Sequence, residues 1–264
     1  MPDLWSTMTL PFVLCATASA GYVVRSRLPE RHRSRESVEL VQVSITLLAT
    51  FAAIVLGLLT TSVKQGFDDA YRNRGVYSGR LAQMDQCLRD YGPETTPIRN
   101  QLKAYVAAVI ASTWPDEPQP TGVSYPDTSH MPLTGESPVL GGIINEVGRE
   151  VRLLEPKTEA QREVQAACTQ EFGDLVNSRW TVIEEARGSI SQPFYWVLVI
   201  WLVILFACLG LSAPPDAMTV IVVVLAALSI SIAVFAILDL DVPYGGLFSI
   251  PSTSMRNALA DMMR

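Results

Sequence analysis

Four stretches of roughly twenty residues run through this 264-residue chain without one charged side chain: Leu4–Val24, Leu40–Val63, Phe194–Ser212 and Met218–Leu238. A bilayer core about 30 Å thick needs a helix of about 20 apolar residues. Each stretch meets that length, and four of them in so short a chain predict an integral membrane protein rather than a buried core. Composition agrees. Only 17% of residues are charged, against roughly 25% in average soluble domains, and the mean hydropathy is +0.26. Trp5 at the start of the first stretch, and Tyr195, Trp196 and Trp201 early in the third, suit the membrane–water interface. Pro193 marks a helix start, and the tight Ser212-Ala-Pro-Pro-Asp-Ala connection makes the last two stretches an antiparallel hairpin. Ala18-Ser19-Ala20 resembles a signal-peptidase site, but residues 1–9 carry Asp3 and no Lys or Arg, so a retained first helix is expected.

The short loop Arg25–Val38 holds Arg25, Arg27, Arg31, Arg33 and Arg35, while the loop between the last two stretches has no basic residue. Basic short loops stay in the cytoplasm, and long segments translocate largely regardless of charge. The Arg loop is therefore expected inside and residues 64–192 outside. The expected divisions are 1–63 for the first two spans, 64–192 for an inserted domain, 193–238 for the hairpin and 239–264 for a tail.

Residues 64–192 carry helical periodicity throughout. Phe67, Tyr71, Leu81, Met84, Leu88 and Tyr91 recur at three- and four-residue spacing, and Gly92-Pro93 stops that helix. Ile98, Leu102, Tyr105, Val106, Val109 and Ile110 mark a second helix, and Ile143, Ile144, Val147, Val151 and Leu154 a third. Val164, Cys168, Phe172, Leu175, Val182 and Ala186 mark the last, with Thr158 as its cap. An antiparallel bundle follows, its outer helices continuing the second and third spans. Cys87 and Cys168 lie 24 and 25 residues from the nearest span ends, or roughly 36–38 Å at helical rise. Two readings fit: a disulfide in an oxidising compartment, or two small hydrophobes in the bundle core.

Within the second span, Gln42, Thr46, Thr50, Ala53, Gly57 and Thr60 form a small and polar stripe at helical spacing. Such a stripe lines an ion path or lets helices pack closely. Arg31, His32 and Arg33 are candidates for binding an anion or a lipid headgroup, and the same loop serves as a topology signal. Ser252–Met263 reads as an amphipathic helix on the bilayer surface, and Asp68-Asp69 and Glu184-Glu185 as solvated faces. No GxSxG, HExxH or P-loop pattern occurs. The four cysteines form no CxxC pair, no metal site or cofactor is expected, and a net charge of −6 argues against nucleic-acid partners.

Leu28-Pro29-Glu30-Arg31-His32, followed by Ala49-Thr50-Phe51-Ala52-Ala53-Ile54-Val55-Leu56-Gly57-Leu58-Leu59, resembles the loop and second helix of the bacterial bestrophin-like family. Asp239-Leu240-Asp241-Val242-Pro243-Tyr244-Gly245-Gly246-Leu247-Phe248-Ser249-Ile250, with Arg256 to Ala260, resembles its closing motif. The resemblance implies an all-α integral membrane protein: four transmembrane helices, with an extramembrane antiparallel helical bundle inserted between helices two and three. It implies a bacterial inner-membrane setting, which makes residues 64–192 periplasmic. Through a distant link to bestrophins, pentameric channels with pore-lining second helices, it implies a homo-oligomeric passive anion channel lined by helix two. Bestrophin channels hold their large helical region in the cytosol; the Arg loop here predicts the opposite side. The alternative function is a non-catalytic membrane scaffold that binds a protein partner through its bundle.

Overall fold

The computed structural model describes residues 4–27, 29, 35–132, 135–187, 192–214 and 216–264. Its regular elements are helices: α1 (Leu4–Arg27), α2 (Arg35–Tyr91), α3 (Thr96–Thr113), α4 (Pro138–Arg152), α5 (Glu159–Glu185), α6 (Gln192–Ser212), α7 (Ala217–Leu240) and α8 (Thr253–Met263), plus a 3-10 turn at Pro93–Thr95. They sort into two compact units, Met1–Gln65 with Ser189–Asp241, and Gly66–Gly188 with Val242–Arg264. The unbroken helix α2 contributes to both. Three helical stretches are long and apolar enough to cross a membrane: Glu39–Tyr91, whose apolar part is its first half, Phe194–Ser212 and Ala217–Leu240.

The first unit is built on helix contacts through small side chains. A Cβ on Gly21 of α1 would strike the Ala207 carbonyl of α6, and one on Gly210 of α6 would strike the Ala18 carbonyl of α1. The two backbones touch there, a packing that membrane helices favour because apolar burial alone gives them no drive to associate. Leu10 and Leu14 of α1 fill the interface with Leu198, Leu202 and Phe206 of α6. Arg25, in the last turn of α1, donates to the Ala213 carbonyl just past α6. Both helices therefore end on one side of the unit. α7 starts at Asp216, whose carboxylate accepts the Thr219 N–H at 2.7 Å.

In the second unit, partners pair high numbers with low ones. Asp85 meets Arg99 and Tyr77 meets Tyr105, so α3 runs antiparallel to α2. Cys87 meets Cys168, Arg80 meets Glu171 and Asn73 meets Glu185, so α5 does too. Gly92, at φ +141°, ends α2 in a conformation that disfavours any side chain, and Thr95 donates to the Leu88 carbonyl left open there. Thr158 caps α5 as expected, accepting from Gln161 N–H at 3.1 Å. Ser137 caps α4.

Three sequence expectations are corrected here. The buried line of α2 in this unit is Ala70, Arg74, Tyr77, Leu81, Met84, Asp85 and Leu88, while Tyr71 is 56% exposed. The charged Arg74 and Asp85 occupy core positions that a search for apolar periodicity skips. α8 does not lie on a bilayer surface. Its apolar face, Met255, Leu259 and Met262, is buried in the second unit's core with α3, because Glu117 anchors Ser252 and Arg256 at its start. Glu185 is not a solvated residue: it is half-buried, accepts from Asn73 at 2.5 Å, and burial raises its pKa against that hydrogen bond.

Candidate functional site

The first half of α2 has three faces. Ala52 and Val63 are buried, and Leu48, Val55, Leu56 and Leu59 pack against the first unit's core. Gln42, Thr46, Thr50, Ala53, Gly57 and Thr60 are all exposed within the single chain. At about 3.6 residues per turn, their mean direction lies roughly 120° from the packed face. Leu40, Leu47, Phe51, Ile54 and Leu58 are 48–71% exposed on the other flank, roughly 120° from the packed face. Among the described residues no helix of the same chain covers the stripe, and space is open around the Gly57 Cα.

The hydroxyls of the stripe already have partners. Thr46 donates to the Gln42 carbonyl at 3.0 Å, Thr50 to Thr46 at 2.8 Å and Thr60 to Leu56 at 2.7 Å. These bonds satisfy the polar atoms at membrane depth and leave hydroxyl lone pairs outward. Each hydroxyl proton is thus engaged with the helix's own backbone, and the stripe is a weakly polar, uncharged face.

Cys87 and Cys168 face each other across α2 and α5, with Cα atoms 5.6 Å apart and sulfurs at bonding distance, 2.09 Å. Arg31, His32 and Arg33 lie outside the described residues. Cys15 and Cys208 are free and half-buried.

A second polar cluster sits inside the second unit and was not anticipated from the sequence. Arg74 of α2 and Arg179 of α5 are 4% and 6% exposed. Arg179 donates to Tyr105 Oη and to Glu136 Oε1, both at 2.9 Å. Burial works against its charge, but Tyr105, Glu136 and Tyr77 outweigh burial and raise its pKa. Tyr77 and Tyr105 share a hydrogen bond at 2.5 Å, and burial, then Tyr105, push the Tyr77 phenol well above its ordinary range. Arg74 lies 4.4 Å from the Tyr244 ring centre and 5.0 Å from that of Trp114, and its Nε donates to Tyr244 Oη at 3.2 Å. Burial raises the Tyr244 pKa against the pull of Arg74. Trp114 is fixed in turn by donating to the Ile250 carbonyl at 2.7 Å. The signal for this cluster was a gap in periodicity: Cys168, Phe172, Leu175, Val182 and Ala186 leave a core slot that Arg179 fills.

Comparison with known proteins places this architecture. Crystal structures of a bacterial bestrophin homologue from Klebsiella pneumoniae share the fold. One point variant superposes with a TM-score of 0.66 at 14% identity over 99% of this chain and 98% of that one. Another structure, phased with zinc, gives 0.63 at 14% identity over 96% of each. A search of the curated proteins returns no match. The family model described as Bestrophin-like domain matches residues 12–255. An all-helical membrane protein with apolar helices long enough to span a bilayer, this chain belongs to the bestrophin-like family.

Proposed function

We propose that the chain is a four-span protein of the bacterial inner membrane. In this reading copies of it assemble around an axis lined by the first half of α2 and conduct anions passively. The observation that carries this is the stripe Gln42, Thr46, Thr50, Ala53, Gly57 and Thr60, exposed on a helix whose other flanks are a packed face and a large apolar face. A helix with those three faces suits a ring: one face against its own chain, one toward a neighbour or lipid, one toward an aqueous axis.

α1 serves as the fourth span, since it is 24 residues long and packs tightly on α6 through Gly21 and Gly210. That α1 and α6 end on one side of their unit supports reading the Arg25–Val38 loop and the turn after Ser212 as lying on the same side, the cytoplasmic one by the charge rule. The Cys87–Cys168 pair supports a periplasmic second unit, because disulfides persist in oxidising compartments. In this reading Arg31, His32 and Arg33 contact lipid headgroups or entering anions, and the second unit's surface is free for a protein partner.

The test is anion efflux from liposomes holding the purified full-length protein. Efflux is expected with the wild-type chain. Thr46→Leu with Thr50→Leu is expected to slow it about tenfold, as about 1.4 kcal/mol on the barrier would. Efflux no faster than from empty liposomes, or a purified oligomer whose α2 stripes are buried between subunits, returns the chain to the scaffold reading.

A further inference from the structure

Where α1 and α6 end and α7 begins, the first unit is not fully packed. Ala227 and Val234 of α7 are buried in its core, but no residue of α7 before Ala227 is buried. The residues around the gap are small: Ala18 and Ser19 of α1, Gly210 of α6 and Ala217 of α7. They leave a cavity of about 440 Å³, within the range of about 300–1,000 Å³ typical of ligand sites. It follows α1 from Cys15 to Val23 and α7 from Asp216 to Val224, about 12 Å along each helix. Half of a bilayer core is roughly 15 Å deep, so the cavity has the length of one leaflet.

Its polarity changes along that length. Cys15, Ala18, Val223 and Val224 line the deep end, and Tyr22, Asp216 and Thr219 the outer end. Arg25 stands at the rim, donating to the carbonyl of Ala213, itself a lining residue. A guanidinium has five N–H donors, so Arg25 has others to give. Arg27 is exposed in the same turn of α1, whereas the Asp216 carboxylate is engaged in capping the Thr219 N–H at 2.7 Å. Residues 25–39 hold five arginines and three glutamates, which keeps this end of the helices positive.

The geometry points to a groove for one acyl chain of an anionic phospholipid, the chain lying between α1 and α7 and the phosphodiester meeting Arg25, Arg27 and the Tyr22 hydroxyl. Lipid chains fill any recess in a membrane helix bundle; here the walls match the length of a leaflet and the rim carries cations that fix a charged head. The proposal rests on α1 being the fourth span, as proposed above, and does not depend on conduction.

Photo-crosslinking tests it, with the full-length protein in nanodiscs of phosphatidylethanolamine and a trace of phosphatidylglycerol carrying a diazirine on one chain. Peptide mass spectrometry is expected to find adducts concentrated in residues 15–23 and 217–224. Unlabelled phosphatidylglycerol is expected to displace them, and added phosphatidylethanolamine is not. Ala217→Trp, at an exposed lining position, fills the groove and is expected to abolish that concentration. Arg25→Gln is expected to weaken the displacement by phosphatidylglycerol about fivefold, the effect of one basic residue at a charged lipid surface. If it fails to fold, Arg27→Gln, on the exposed side chain, decides by the same measure. Phe12 of α1 lies outside the groove and is 75% exposed, so any bilayer chain labels it if α1 spans. Phe12 labelled with no concentration in the groove, equal displacement by both lipids, or a concentration undiminished in Ala217→Trp each overturns the groove and leaves α1 as a span. An unlabelled Phe12 removes the span and the groove together.

Discussion

Asp85 shows how much one side chain holds at a position that apolar periodicity overlooks. Its carboxylate, 2% exposed, accepts from Arg99 Nε at 2.9 Å and from Arg89 at 3.0 Å, with a further bond from Arg99 Nη2 at 3.2 Å. Removing one partner of a buried pair strands the other charge, typically at 3–5 kcal/mol. Asp85→Asn is expected to cost about 3 kcal/mol in chemical denaturation of the full-length protein, and replacing Asp85 and Arg99 together by leucine is expected to recover part of it. Glu117 tests the same logic through pH. The Ser252 hydroxyl first, then the Ser252 N–H and Arg256, hold its carboxyl below the ordinary value of 4.5 against a modest burial effect. The depressed value means that the stabilisation is present above pH 4.5 and is lost as pH falls through the folded pKa. Once the intrinsic slowing of amide exchange in acid is divided out, the protection factors of α8 are therefore expected to fall at low pH, and Glu117→Gln is expected to lower them at neutral pH and leave them nearly insensitive to acid. Neither residue was legible beforehand. Apolar spacing exposes hydrophobic faces, whereas a buried carboxylate is chosen by partners that are distant in sequence: Arg99 lies 14 residues from Asp85, and Ser252 lies 135 from Glu117.

Elements were far easier to read than their faces. Long charge-free runs and capping residues such as Gly92 and Thr158 are local signals, and the helices follow them. The direction of each face was legible only where its residues were apolar, which is why α3 and α4 were placed well and the stretch of α2 around Arg74 was not. α8 illustrates the remaining ambiguity. Its methionines and leucine suit a lipid surface and a protein core equally, and only the anchor at Glu117 decides between them. Packing between elements depends on particular small residues. Gly148 of α4 sits against the Phe172 ring of α5, and a Cβ there would enter the ring. Phe172 is 8% exposed and has little room to retreat. Gly148→Ala is therefore expected to destabilise the protein by about 1–3 kcal/mol through overpacking, despite the gain in helix propensity that alanine normally brings. Thermal unfolding followed by tryptophan fluorescence measures it, and an unchanged or raised Tm would show that α4 and α5 separate without cost.

At the scale of the whole molecule, the family relationship and the chain's own chemistry make different demands. The fold is shared with a bacterial bestrophin homologue, while the Cys87–Cys168 pair, 81 residues apart, gains most in an oxidising compartment. Closing a loop of that length is worth about 4 kcal/mol through the unfolded state. Replacing both cysteines by alanine, or reducing the purified protein, is accordingly expected to lower the Tm, and the two treatments are expected not to add. The decisive measurement is the redox state in cells. Alkylation in growing bacteria before lysis traps free thiols, and only bonded cysteines then react after reduction. With the second unit in the periplasm, Cys87 and Cys168 are expected to escape the first alkylation and to label only after reduction. Labelling of both in the first step would put the unit in the cytosol, contradict the assignment drawn from Arg25, Arg27, Arg31, Arg33 and Arg35, and align this chain with bestrophin channels on that point.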